Sequence, residues 1–236
     1  MNLRRGFALL IPVVALLLVP PSEAQVSPGQ ATSSSSSSSA QHVRKPTSGA
    51  DSRLDTGSVS NGVYRNRGFG FTCKIPEAWV LRTEEMNAQE DEEAKTDTGK
   101  LAADAGKAGR VLLAAFSRPP QARAEDVNSS ILIAAENAAA YPGLKEAAQY
   151  FGPVTEIAQA QGFEVVNEPY EFVLGTKTVV RGDFQKAVGT RMMRQSTLVV
   201  LARGYVLSFT FIGGTDDKVE ELVQELSFGT GAKTTR

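Results

Sequence analysis

The residues able to do chemistry in this chain are few. It holds one histidine, His42, and one cysteine, Cys73. His42 sits in a polar stretch just after Ser33–Ser39, so the apolar-patterned region beyond residue 62 contains no imidazole. That composition excludes a histidine general base there. It also excludes Ser-His-Asp and Cys-His nucleophile arrangements and zinc sites built on imidazole. One cysteine cannot build a thiolate cluster, and no Gly-rich phosphate cradle or dinucleotide fingerprint is present. Gly68-Phe69-Gly70 reads as a turn between strands. No cofactor and no metal is expected.

Carboxylates and guanidinium groups remain. Glu90, Asp91, Glu92, Glu93 and Asp97 could attract Ca²⁺, but their spacing is not that of an EF-hand loop, and they read as a solvated charged loop. Arg181, Asp183, Arg191 and Arg194 fall on neighbouring predicted strands. Arg191 and Arg194 have opposite parity and should face opposite sides. Ion pairing on a sheet surface is the simple expectation for this group, and an anion-binding patch the sharper one. Tyr64 and Trp79 read as anchors at the edge of the core, with an exposed aromatic pair as the alternative. No residue is assigned a catalytic role, and Tyr64, Trp79, Arg181 and Arg191 are the candidates for ligand contact. Glycoside hydrolysis needs only two placed carboxylates, so an enzyme is not excluded, and Asp183 and Glu171 are the strand carboxylates to consider. Asn128-Ser129-Ser130 matches an N-glycosylation sequon.

The elements that must position these residues begin after an export signal. Arg4 and Arg5 form a positive n-region, Phe7 to Val19 is a short apolar run containing Pro12, and Ser22-Glu23-Ala24 offers a cleavage site. A spanning helix needs roughly 20 residues, so a cleaved signal over 1–24 is the reading, cut between Ala24 and Gln25. No cysteine follows the cut, so a lipid anchor on that residue is excluded. Arg4-Arg5-Gly6-Phe7 partly matches a twin-arginine signal, and an ordinary positive n-region is the simpler alternative. Cleavage removes Arg4, Arg5 and Glu23 and moves the formal net charge from −1 to −2. Such a balance points to neither nucleic acid nor an anionic membrane surface, and no later apolar run is long enough to span a bilayer.

Residues 25–61 are rich in Ser, Thr, Gly, Gln and Pro and read as a disordered tether. The folded part is expected over 62–228. Short strands are predicted at Val63–Asn66, Gly68–Ile75 and Val80–Thr83. A charged, mobile insertion at about 84–109, with a helical turn as an option, follows, then buried strands at Val111–Phe116 and Ser130–Ala135. Leu144–Ala160 has helical spacing, with Pro153 expected to kink or split it. Phe163–Phe172, Lys177–Ala187, Thr190–Ala202 and Tyr205–Ile212 read as an antiparallel meander with turns at Gly175, Gly189 and Arg203-Gly204. The last hairpin should be central, because it is the most apolar. Thr215 opens a helix with Val219, Leu222, Val223 and Leu226 on one stripe. Residues 229–236 are a polar tail. Cys73 shares a strand face with Phe69, Phe71 and Ile75 and reads as a small buried apolar residue.

Tyr64 to Trp79 (YRNRGFGFTCKIPEAW) resembles the opening of PsbP-like and Mog-like domains, where a strand pair ends in a Pro-x-x-Trp step. Arg203-Gly204-Tyr205 through Phe211, followed by Asp217 to Phe228, is similar to their closing hairpin and helix. Arg181-Gly182-Asp183-Phe184 fits the strand before it. The resemblance implies an α+β fold, an α/β/α sandwich around a mostly antiparallel sheet. In that family PsbP proteins support the oxygen-evolving complex of photosystem II and the Mog protein binds the GTPase Ran. Their shared trait is binding, without common catalytic residues. The expected protein is therefore an exported, soluble, non-catalytic binding or assembly module of the periplasm or cell envelope, with a protein partner. The alternative is a carboxylate-dependent hydrolase acting on an envelope substrate.

Overall fold

Four consecutive strands with two-residue Gly-bearing turns can only stack side by side, and they build most of a large sheet. The computed structural model describes residues 54–93, 109–119, 122 and 126–229. The signal, its Ala24/Gln25 cut, most of the tether with His42, the insertion residues 94–108 and the tail from 230 onward lie outside the described residues. The meander is β7 (Glu164–Leu174), β8 (Lys177–Val188), β9 (Arg191–Ala202) and β10 (Tyr205–Gly213). Arg203 and Gly204, both at positive φ, make the tight turn that joins β9 to β10.

With β4 (Val80–Leu81), β5 (Arg110–Phe116) and β6 (Ser130–Asn137), the meander forms an antiparallel sheet in the order β4-β5-β6-β10-β9-β8-β7. The most apolar strands take the middle: β10 lies between β6 and β9, buried on both faces. A second sheet of β1 (Ser58–Ser60), β2 (Val63–Asn66), β3 (Phe71–Lys74) and β11 (Leu226–Phe228) packs on one face of the first. It shares that face with helix α3 (Asp216–Gln224). On the other face lie helix α2 (Phe151–Ala160) and helix α1 (Thr83–Glu93). The result is the α+β class, a mostly antiparallel sheet flanked by helices, with one outer layer that is part helix and part small sheet.

An aromatic seam joins the two sheets. Phe71 of β3 meets Phe209 of β10 edge-on at 5.0 Å, and Phe228 of β11 closes on Phe209 at 5.6 Å. Cys73 is fully buried beside them. Burial pushes its thiol up to about 12, so it packs as an inert apolar group. Helix α3 opens as its sequence requires: Thr215 Oγ1 accepts from Lys218 N at 3.1 Å, and Val219, Leu222 and Val223 are buried.

Several boundaries differ from the sequence expectations. Residues 54–60 were expected in the tether, yet Ser58–Ser60 pairs with β2. Polar and backbone contacts hold this segment. Asp55 accepts from the Gly57 and Gly68 amides at 2.9 and 2.6 Å, Asn66 Nδ2 donates to Asp55 O at 2.7 Å, and Tyr64 OH donates to Thr56 O at 2.8 Å. The start of the charged insertion is the 11-residue helix α1, longer than the single helical turn the sequence allowed. Its reason is the edge of β5. β4 covers only Ala115 and Phe116, and α1 satisfies the rest: Thr83 Oγ1 accepts from Ala114 N, while Asn87 exchanges two bonds with the Val111 backbone. Met86 is the one apolar side chain α1 buries beneath it. The predicted third strand is correspondingly cut to two residues.

The Leu144–Ala160 helix is shorter than its spacing suggests. A 3-10 turn at Ala147–Tyr150 precedes α2, so Pro153 falls in the first turn, where a missing N–H leaves no bond unmade. The break lies upstream of Pro153. Asn128 of the sequon bridges the β5–β6 connection, accepting from Ser117 Oγ and Arg118 N and donating to Arg118 O.

Candidate functional site

Strand parity places Arg181 and Asp183 on the α3 side of β8, and Gly182 on the α2 side. Gly182 is required: a Cβ there would lie 2.6 Å from the Phe151 ring that packs over it. Arg181 is 6 % exposed. Its Nε donates to Asp183 Oδ1 at 2.8 Å, and its Nη2 donates to Ser196 Oγ at 2.9 Å and to the Glu220 carboxylate of α3. The Phe172 ring lies 5.1 Å beneath the guanidinium. Ser196 donates in turn to Asp183, whose other oxygen accepts from Tyr170 OH at 3.0 Å and Asn167 Nδ2 at 3.2 Å.

Burial opposes the charge on Asp183. The bonds from Ser196 and Arg181, the guanidinium charge and the Asn167 amide outweigh it, and its carboxyl titrates below the ordinary aspartate range. The Arg181 guanidinium is held charged by Glu220 and Asp183 against its own desolvation. Burial and the neighbouring Asp183 raise the Tyr170 phenol to about 12.

Above this network is an open cleft of about 320 Å³ between β7 and α3. Val166 and Tyr170 form one wall, Asp216, Val219 and Glu220 the other, and Arg194 closes one end. Arg194 is itself tied to Asp216 at 3.5 Å and to Gln185.

Of the four sequence candidates, only Arg181 is here. Arg191 lies exposed at the β8–β9 turn, opposite Val188. Arg181 pairs with Leu198, seven residues along β9, so the two arginines are about 23 Å apart. The opposite parity of Arg191 and Arg194 holds, and it is Arg194 that reaches the cleft. Tyr64 is fully buried, its phenol raised to about 12 by desolvation, and Trp79 is half-buried against the main core. They do not form an exposed aromatic pair. Glu171 pairs with Val180 on the opposite face from Asp183, so the carboxylate pair considered from sequence does not assemble. Glu220 takes that place, across Arg181 from Asp183. Ser196, Tyr170, Asn167 and Glu220 were not singled out by sequence. Two register shifts in β7, between Val165 and Tyr170, hide its contributions from a simple alternation.

A second polar cluster lies under the 3-10 turns. Glu136, 8 % exposed, accepts from the phenols of Tyr141 and Tyr150, whose rings meet edge-on at 5.2 Å. Desolvation raises its carboxyl above the ordinary glutamate range despite those two donors. A folded pKa above the unfolded value means stability fully present below about pH 4.3 and lost as pH rises through the folded pKa. Glu136→Gln, neutral throughout, is expected to match the parent at pH 4 and to be the more stable of the two at pH 8. Urea unfolding of both proteins at the two pH values checks this, and a difference independent of pH would refute it.

No model of a known protein family matches the sequence, and no curated protein matches it. Solved structures align with parts of this chain. The Ran-binding protein Mog1p of Saccharomyces cerevisiae aligns over 73 % of this chain and 87 % of its own, at 11 % identity and a TM-score of 0.36. LpqN of Mycobacterium tuberculosis, involved in cell envelope biogenesis, aligns over 67 % and 83 %, at 11 % identity and 0.33. PA94 of Pseudomonas aeruginosa, a protein of unknown function, aligns over 43 % and 68 %, at 19 % identity and 0.31. The α+β class expected from the sequence, a mostly antiparallel sheet flanked by helices, is the one observed. At such scores the likeness carries nothing about what this chain binds or does.

Proposed function

We propose that this protein is an exported, non-catalytic binding module whose contact site is the cleft between β7 and α3. One observation carries the reading. The charged groups at the floor of the cleft are committed to one another, with Asp183 taking four donors and Arg181 bridging it to Glu220. Such a floor is a rigid platform. Asp183 is shifted below the ordinary aspartate range, opposite to the shift a general acid needs. The walls offer partly exposed apolar area at Val166 and Tyr170. The pattern of residues 1–24 supports placement outside the cytoplasm. No helix among the described residues is long and apolar enough to cross a membrane.

A photo-reactive amino acid in place of Val166, in the native host, tests this. A discrete cross-linked protein is expected from that position and not from Arg191 at the distant hairpin tip. Identical products from both positions, or none from either, would overturn the reading.

The hydrolase alternative has one observation in its favour: Asp183 and Glu220 share an open cleft on either side of one guanidinium. Hydrolysis of an envelope glycan by the parent, lost in both Asp183→Asn and Glu220→Gln, would establish it.

A further inference from the structure

We propose that the partner binds by strand addition: an extended segment carrying lysine or arginine pairs with the free edge of β7 along Tyr170–Val173. The proposal rests on the binding-module reading and specifies how that site is used. Among the described residues β7 is the last strand of the large sheet, whereas the opposite end is closed by β4 and by α1 over β5. Six large apolar side chains are exposed among the described residues, and three of them, Val166, Tyr170 and Val173, lie on β7. Val173, at 69 %, is the most exposed of all.

Natural sheets blunt their edges with proline, bulges and lysine. The first half of β7 is blunted in this way, by Pro169 and the two register shifts. The second half is not. Tyr170 to Leu174 run in unbroken register with Arg181 to Lys177, so the outer edge of this stretch keeps a regular ladder of groups with no strand partner among the described residues. Strand addition draws affinity from such a ladder and specificity from pockets for alternate side chains, and the cleft beside Tyr170 is one such pocket.

Charge selects the partner. β7 carries Glu164, Glu168 and Glu171 and no lysine or arginine. Helix α3 adds Asp216 and Glu220 at the far wall of the cleft. Two of the basic groups nearby are already used, Arg181 on Asp183 and Glu220 and Arg194 on Asp216, and Lys177 lies beyond Val173 at the hairpin tip, opposite Leu174. An acidic edge bordered by valines and a tyrosine fits an extended segment that alternates basic and aliphatic residues.

The test uses the purified protein and three labelled seven-residue peptides followed by fluorescence anisotropy. One alternates Val and Lys, one replaces each Lys by Glu, and one is the Val/Lys peptide with alternate backbone nitrogens methylated. The Val/Lys peptide is expected to bind at least about tenfold more tightly than either control. Glu168→Lys combined with Glu171→Lys, with a circular dichroism spectrum like the parent's, is expected to reverse the preference between Lys and Glu peptides. Equal binding of the methylated peptide would show charge attraction without strand pairing and overturn the proposal. Equal binding of the Glu peptide, or no binding by any peptide, would do the same. A dimer in sedimentation that Val173→Asp dissolves would make a second copy the occupant, also against it. Cross-linking from Val166 separates the two levels. If it captures a partner while all peptides fail, strand addition falls and the binding module stands.

Discussion

Replacing Arg181 by Met is expected to lower the unfolding free energy by about 3–5 kcal/mol, the range for removing one partner of a buried ion pair. The side chain of Asp183 is only 12 % exposed. Without the guanidinium it keeps neutral donors from Ser196, Tyr170 and Asn167 but no countercharge. The double variant Arg181→Met with Asp183→Leu should recover much of the loss, because an apolar pair of similar volume needs no solvation. Glu220 is different. Its side chain is 44 % exposed, and Glu220→Gln should cost no more than about 1 kcal/mol. Acid titration adds a second readout. Asp183 has a depressed folded pKa, so its contribution is present above the unfolded aspartate value of about 3.9 and is lost as pH falls through the folded value. That acid limb should shrink in Arg181→Met. Urea unfolding at pH 7 and pH 3 measures both effects. A loss below about 1 kcal/mol at pH 7 would show that the network is surface decoration and not the rigid floor on which the binding site rests.

The meander was legible in sequence because two-residue periodicity and Gly-bearing turns are local signals. The same holds for α3, whose cap at Thr215 and stripe at Val219, Leu222 and Val223 lie within one short stretch. Parity was enough to separate Arg191 from Arg194, and ion pairing was the expectation for the group that includes Arg181 and Asp183. Their partners were not legible. Glu220 reaches Arg181 only because α3 packs across β10 and β9 at a particular rotation, and rotation is a property of the packed core. Asn167 sits between two shifts of register, each of which breaks the alternation on which a reading by parity depends, and Tyr170 borders the second of them. Helix α1 fails for another reason. It has almost no apolar stripe and is held by Thr83 and Asn87 on the bare edge of β5, a contact that composition cannot announce. β1 and β11 are three residues each and exist because longer strands offer them an edge.

Phe209→Ala is the other large expected effect, again about 3–5 kcal/mol. Phe209 is fully buried in β10, the middle strand of the large sheet, and its ring contacts Phe71 and Phe228 from the small sheet. Truncation removes the ring that both of those aromatics close upon, and three different strands would have to move to fill the void. Domains of this kind have only about 5–15 kcal/mol of net stability. The single cysteine, Cys73, cannot form a disulfide within the chain, so no crosslink limits the unfolded state. The seam between the sheets must then be carried by packing alone. Phe209→Leu, which keeps most of the apolar volume, should cost less than the Ala variant by about 2 kcal/mol, since cavity size governs the penalty. Chemical denaturation of the two variants measures the ratio. If Ala and Leu destabilise equally, the edge-on contacts with Phe71 and Phe228 are what matters. If neither costs more than about 1 kcal/mol, the small sheet is held to the large one chiefly by α3 and its connection to β11 rather than by the aromatic seam.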